Sequence, residues 1–200
     1  MLVIQYRGRV SSKSMRQSRE EKAKTHDRIV EIASARIREA GIDGPGVAEV
    51  MQAAGLTHGG FYKHFGSRDD LIAEAAARAF ADGERTVHEL TDGAEDPLAA
   101  FVDWYVSAEH RDNPAEGCPV VALSGDVHHG DERVRGAYHR QVEGYLATLE
   151  RLVGGGADAR PRATVALSTL IGSVALARAI GKDPLSDEIL RDVREALKGS

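Results

Sequence analysis

The sequence contains a single cysteine, Cys118, in 200 residues, so no disulfide can close within the chain and no cysteine-rich zinc finger can be built. It also lacks a long apolar run. The longest uncharged stretch, Ala163 to Ala177, falls short of the roughly 18 residues a membrane span needs and is interrupted by Ser168, Thr169 and Ser173. The opening MLVIQYRGRV holds too short an apolar run for a secretory leader. No segment alternates with period two for long enough to make a strand, and there is no internal repeat. These absences exclude a secreted disulfide scaffold and a membrane-spanning chain, and they point to a reducing, cytoplasmic setting.

What remains is an ordinary globular composition, 42% hydrophobic and 28% charged. The net charge of −5 conceals an asymmetry: residues 1–68 carry 12 Lys and Arg against 7 Asp and Glu, a net +5, and residues 69–200 carry 14 against 24, a net −10. A basic front on an acidic body suggests that the front alone meets a polyanion.

Helical periodicity begins at Arg19, after a basic arm over residues 1–18 with Arg7, Arg9, Lys13 and Arg16. Ile29, Ile32, Ala33, Ile37 and Ala40 share one face, and Gly41 ends the helix. The turn-rich GIDGPG leads to a short helix, 47–54, with Val47, Val50, Met51 and Ala54 inward. Thr57 is placed to cap a second short helix, 58–64, and Ser67 a longer one, with Asp70 as its capping-box partner. Asp96-Pro97, Cys118-Pro119, Arg160-Pro161 and Asp183-Pro184 put proline just inside further helices, at about 97–111, 119–128, 161–180 and 185–198, with another at 131–153. The expected fold is all-α, with about nine helices: an N-terminal three-helix head (19–66) on a C-terminal helical body (67–200).

The informative stretch is VAEVMQAAGLTHGGFYKHFGSRDDL, residues 47–71. Two short helices joined by a glycine turn at Gly55 make a helix-turn-helix, whose second helix enters the DNA major groove by its N-terminal residues. Thr57 and His58 stand at the positive end of that helix, which favours phosphate. Gly59 and Gly60 are poor helix formers and suggest that something approaches the backbone closely. Tyr62, Lys63 and His64 offer a hydroxyl, an ammonium and an imidazole. Arg68 opposes the dipole of the following helix, a conflict an outside phosphate would relieve.

The run AGLTHGGFYKHFGSRDDL closely resembles the TetR/AcrR family of one-component bacterial repressors, in the order Gly, Tyr, His-Phe and Ser-Arg, over about residues 24–90. The resemblance implies double-stranded DNA at a near-palindromic operator as partner. It gives Thr57, Tyr62 and His64 the role of phosphate contacts, His58 and Gly60 the positions nearest base edges, and Lys63 a base or phosphate contact. Arg68 takes the place of the family's usual Lys. Pro45 and Gly46 stand where the family has hydroxyl residues, so backbone N–H groups around Gly46 would have to anchor phosphate. Met51 replaces a small residue.

The resemblance also implies a ligand pocket and a dimer interface in the body. Candidate pocket residues are Phe101, Trp104 and Tyr105 on one helix and Tyr138 and Tyr145, seven apart, on another, with Cys118 and His128. Ordinary core packing is the alternative for each aromatic. Helix 161–180 is apolar on nearly every face, so burial by a second copy, together with 185–198, would give a homodimer released from DNA by a small-molecule inducer. Cys118 heads a helix within GCPVVALSGDV, and some members of the family with such an element respond to oxidants or electrophiles. Covalent modification of Cys118 is therefore an alternative signal, and inert burial the other reading. A Cys118 enzyme with His128 or His139 as base, and a purely protein-binding adaptor, leave the basic helix-turn-helix unexplained. His110, His128, His129 and His139 lack metal-ligand spacing, and no cofactor is called for.

Overall fold

The computed structural model describes residues 12–199 and is helical, with no strand among the described residues. Nine α-helices follow in order among them: α1 (Ser12–Ala40), α2 (Val47–Ala53), α3 (Arg68–Thr91), α4 (Pro97–Tyr105), α5 (Ala108–Asp112), α6 (Pro119–Leu123), α7 (Glu132–Leu152), α8 (Ala159–Ile180) and α9 (Pro184–Lys198). Two 3₁₀ helices, His58–Lys63 and Val127–His129, lie between α2 and α3 and between α6 and α7. The helix expected from Arg19 already runs from Ser12, so the last part of the expected arm is helical; its first eleven residues lie outside the described residues.

α1, α2, the 58–63 segment and the start of α3 enclose a small core. Ile29, Ala33 and Ile37 of α1 meet Val50 and Met51 of α2, Phe61 and Phe65, and Leu71 and Ile72 of α3. Ile32 is half-buried and Ala40 exposed, so the inward face of α1 is narrower than its spacing suggests. Gly55 makes the turn with φ +71°, and the Leu56 N–H donates to the Met51 carbonyl across it.

α3 runs from this head into the body, where it packs on α4, α6 and α7. Gly83 permits that approach: a Cβ there would stand 2.8 Å from the Tyr145 hydroxyl and 2.9 Å from Cδ of Pro119. Ser67 Oγ accepts the Asp70 N–H at 3.1 Å, as the sequence predicts. The same arrangement recurs where Asp96 and Asp183 precede prolines at the starts of α4 and α9.

Three boundaries differ from the sequence expectation. The 97–111 helix breaks at Ser107, whose Oγ donates to the Trp104 carbonyl and accepts the His110 N–H, ending α4 and capping α5. The 119–128 helix stops at Leu123. α8 starts at Ala159, two residues ahead of Pro161, which still lies in the first turn where no N–H has an intrahelical acceptor.

By length and composition α8 is the one helix among the described residues apolar enough to cross a membrane, although its longest uncharged run is short of a span. In this fold Ala163, Leu167, Leu170, Val174 and Ala177 are buried, and the helix packs on α6, α7 and α9. The opposite side is uncovered: Val165 is 64% and Leu176 57% exposed, and Ile180 and, on α9, Leu185 are exposed too. Val165 and Leu176 are eleven residues, close to three turns, apart and so share a face.

Candidate nucleic-acid interface

The second short helix is a 3₁₀ helix rather than an α-helix. Gly60 N–H donates to the Thr57 carbonyl at 2.9 Å and His64 N–H to that of Phe61 at 2.8 Å. Two consecutive glycines supply little helical preference, which suits a short, tight turn. Thr57 occupies the N-cap position, but its hydroxyl makes no capping bond. The expected cap is thus absent, because the backbone carbonyl closes the turn. Thr57, His58 and Gly59 are exposed, and the hydroxyl is free to face an outside group.

Gly59 and Gly60 are informative because no atom of the described residues crowds them. A Cβ on Gly59 would meet nothing within 4 Å, and one on Gly60 only Cε of Met51 at 3.5 Å, an ordinary contact. Neither has a positive φ.

Phe61 and Phe65, stacked with centroids 5.5 Å apart, anchor the turn in the core. Between them Tyr62 projects outward, 73% exposed, its ring standing edge-on to Phe61. Lys63 is exposed and His64 half-buried, and both line an open cleft with Glu21, Lys22 and Thr25 of α1. Nδ1 of His64 is buried without a hydrogen-bond partner. Burial first, then the neighbouring His26, Lys22 and Lys63, push the His64 pKa down, so the ring is neutral at pH 7. The α1 wall of this cleft escaped the sequence reading. Its signal was there, in Lys22, about two turns ahead of Ile29 where the buried run starts.

Two predicted contacts are otherwise engaged. The Arg68 guanidinium turns inward: Nη2 donates to the Ile42 carbonyl at 2.7 Å, and Asp43 lies at 4.0 Å. The conflict between Arg68 and the α3 dipole is thus answered inside the protein, by the chain leaving α1. The Gly46 N–H, expected to serve phosphate, donates to Oε2 of Glu49 at 3.3 Å. Glu49 supplies the N-terminal carboxylate that α2 favours.

In the body, the candidate pocket residues do not form one cavity. Phe101, Tyr105 and Cys118 are fully buried core. Trp104 stacks on His110 at 4.7 Å. Tyr138 donates its hydroxyl to the Val120 carbonyl at 3.3 Å, and its ring meets Phe80 edge-on. His128 is exposed on the 127–129 turn against His129. Of the seven, only Tyr145 lines the cleft of 750 Å³ between α3 and α7, alongside Phe80, Glu84, His88, Arg140 and Gln141. The aromatics attract attention in a sequence because they are large, and their size is the reason they are used as packing.

Cys118 sits beneath that cleft. The Tyr105 hydroxyl donates to Sγ at 3.3 Å, and the thiol points to the Tyr145 hydroxyl at 3.7 Å. Burial pushes both tyrosine pKa values well up, so both hydroxyls keep their protons. The histidine that reaches Cys118 is His110, and it touches the backbone N–H rather than the sulfur. His128 and His139 are exposed and supply no base to the buried thiol. Among the described residues no three His, Cys, Asp or Glu side chains gather as a metal site would require.

A sequence model of the family described as bacterial regulatory proteins, tetR family, matches residues 29–82, from the middle of α1 through the helix-turn-helix into α3. An uncharacterized HTH-type transcriptional regulator of Mycobacterium tuberculosis is 30% identical over 164 residues, covering 76% of this chain and 83% of that protein. The HTH-type transcriptional repressor NemR of Escherichia coli is 24% identical over 124 residues, 60% of this chain and 62% of NemR. Among solved structures, a TetR transcriptional regulator from Chloroflexus aurantiacus superimposes with a TM-score of 0.78 at 23% identity, over 90% of this chain and 95% of that one. The reduced form of Escherichia coli NemR gives 0.75 at 20% identity, over 88% and 96%. At these identities the structural matches speak for the fold.

Proposed function

This chain belongs to the tetR family of bacterial regulatory proteins, transcriptional regulators with a DNA-binding helix-turn-helix, and from that premise we propose that it is a homodimeric repressor released from its operator by a small molecule. Residues 19–66 form the reading head and residues 67–200 the sensing and dimerising body, whose first helix, α3, packs Leu71 and Ile72 into the core of the head. The protein acts in the bacterial cytoplasm.

The observation that carries the DNA reading is the pair Gly59-Gly60 beside the outward Tyr62 and Lys63. Side chains are missing where the fold has room for them, and polar groups project where the core has no use for them. A phosphate chain or base edge lying against that backbone explains both. Thr57, His58, Tyr62, Lys63 and His64 are the contacts we assign. Arg68 supports them by holding the turn after α1 in place, and Gly46 acts through its position at the start of α2.

The exposed α8 face, with Val165 and Leu176 outward, supports dimerisation through α8 and α9. Repression follows the reading that the similar NemR carries in its name. For the inducer, the cleft between α3 and α7 replaces the aromatic cluster as the favoured site. The start of α3 packs against α1 of the reading head, so a ligand wedged against α3 has a rigid path to the DNA. Ligand binding is favoured over covalent sensing because Cys118 is closed to solvent.

Selection of duplexes from a random pool by the purified protein tests the reading. The expected product is a near-palindrome with half-sites about one helical turn, ~34 Å, apart. Its affinity should fall linearly with the logarithm of salt concentration. A pool that shows no enrichment overturns it.

A further inference from the structure

A further cavity of 460 Å³, which shares no lining residue with the α3–α7 cleft, opens between the end of α1 in the head and α5, α6 and α8 in the body. Three arginines line it: Arg38 from α1, Arg111 from α5 and Arg178 from α8. Their partners differ in kind. Arg111 is saturated with acids, its Nε on Asp112 at 2.7 Å and its Nη1 on Asp187 at 2.6 Å and Ser186 Oγ at 2.8 Å. Arg38 donates only to the Ser34 carbonyl, at 3.2 Å, and Arg178 only to the carbonyls of Arg111 and His110, at 3.2 and 2.8 Å. Among the described residues neither has a carboxylate within ion-pair distance.

The acids at the cavity are already committed. Asp112 is held by Arg111, with Lys182 at 3.8 Å, and Glu39 pairs with Arg36 at 3.1 Å. Burial works against both free guanidinium charges, yet an arginine keeps its proton in a protein. Asp82 and Glu116 act on Arg38 from beyond ion-pair distance, and no carboxylate touches either guanidinium, so an anion entering between the two half-buried cations would be favoured. The remaining wall is apolar, with Val121 and Ala122 of α6 and Ala175 of α8.

We propose that this cavity is a second effector site, which takes a small organic anion whose carboxylate or phosphate sits between Arg38 and Arg178 and whose short apolar part lies along Val121 and Ala175. The planar guanidinium fork is suited to either anionic group. An anion held there joins the last turn of α1 to α8 and so ties the head to the body. Binding by itself does not depend on the proposed operator function; any effect on DNA release does.

Titration calorimetry and thermal melting of the full chain, without DNA and at constant ionic strength, test the site with inorganic phosphate and butyrate as probes. At least one probe should bind saturably and raise the melting temperature when present at about 10 mM, ten times a millimolar Kd. Arg38→Gln should weaken that binding on the order of tenfold, the loss expected for one charge-assisted hydrogen bond. Arg178→Gln should do the same where it folds, and Arg191→Gln, in an exposed pair with Asp192 on α9 that does not line the cavity, should change nothing. Response to phosphate alone or butyrate alone supports the site and identifies the headgroup. Equal responses in wild type and Arg38→Gln mean an adventitious ion only, and no response to either probe also overturns the proposal. A protein that binds the probe but no duplex leaves this site standing while the operator reading falls.

Discussion

The backbone N–H of Cys118 donates to Nε2 of His110 at 2.8 Å. That one bond assigns the imidazole. Nε2 must carry a lone pair, so the proton is on Nδ1, which donates to the Tyr105 carbonyl at 2.6 Å. Trp104 stacks on the ring from outside. His110 thereby fastens the end of α4 to the start of α6, and it can do so only while neutral.

A pH dependence follows. Burial lowers the His110 pKa to about 4, below the ordinary value of 6.5. The unfolded chain therefore takes up this proton first. Stability from His110 is complete above about pH 6.5 and is lost progressively as pH falls toward 4. At about 1.4 kcal/mol per unit the loss is on the order of 3 kcal/mol. Chemical denaturation at pH 7.5 and pH 5 should show wild type weakening and His110→Gln weakening less. Parallel losses in the two proteins would refute this role.

Gly59→Ala separates folding from reading. Because a Cβ there touches nothing, the melting temperature should stay the same or rise slightly. Operator affinity should fall about tenfold, the effect of one disturbed contact of 1–3 kcal/mol. A variant that binds DNA as wild type does removes the argument from the glycine pair.

Lys63 and Arg68 should part company, although both look like phosphate ligands in the sequence. Lys63→Ala should leave melting unchanged, weaken binding to all duplexes and lower the salt slope by about 1. Arg68→Ala removes the bond to the Ile42 carbonyl and should cost about 1–2 kcal/mol of stability. An Arg68→Ala protein as stable as wild type would mean that this inward bond contributes little.

Leu176→Asp places a charge in the middle of the exposed α8 face. Sedimentation should show a dimer for wild type and a monomer for the variant, with weaker operator binding. A variant that stays dimeric moves the interface elsewhere.

Cys118 has no exposed surface. Maleimide labelling of the native protein should be slow, at the rate at which the core opens, and fast in denaturant. Fast, complete labelling of the folded protein would return covalent sensing to the front.

How much of this was legible beforehand varies by residue. The inward positions Ile29, Ile37, Val50 and Phe61 follow from spacing, and so do the starts at Ser67, Pro97 and Pro184, because these signals act within one or two turns. The break at Ser107 was equally local, a serine able to serve the carbonyl behind it and the N–H ahead, and it went unread inside a continuous apolar pattern. Arg68 was not legible. Its partner is the Ile42 carbonyl, 26 residues earlier, and a backbone acceptor leaves no mark in a sequence. Nor could spacing show that Tyr145 faces a cleft while Tyr105 is sealed in the core.

The sequence by itself determined the helices, the glycine turn and the exposed run that follows it, since backbone preference and hydrophobic period are short-range properties. Only the tertiary structure decided which arginines are neutralised, which aromatics enclose empty space and which side of α8 remains bare. Those outcomes depend on segments distant along the chain arriving at one place, where desolvation and charge are settled by the neighbours present.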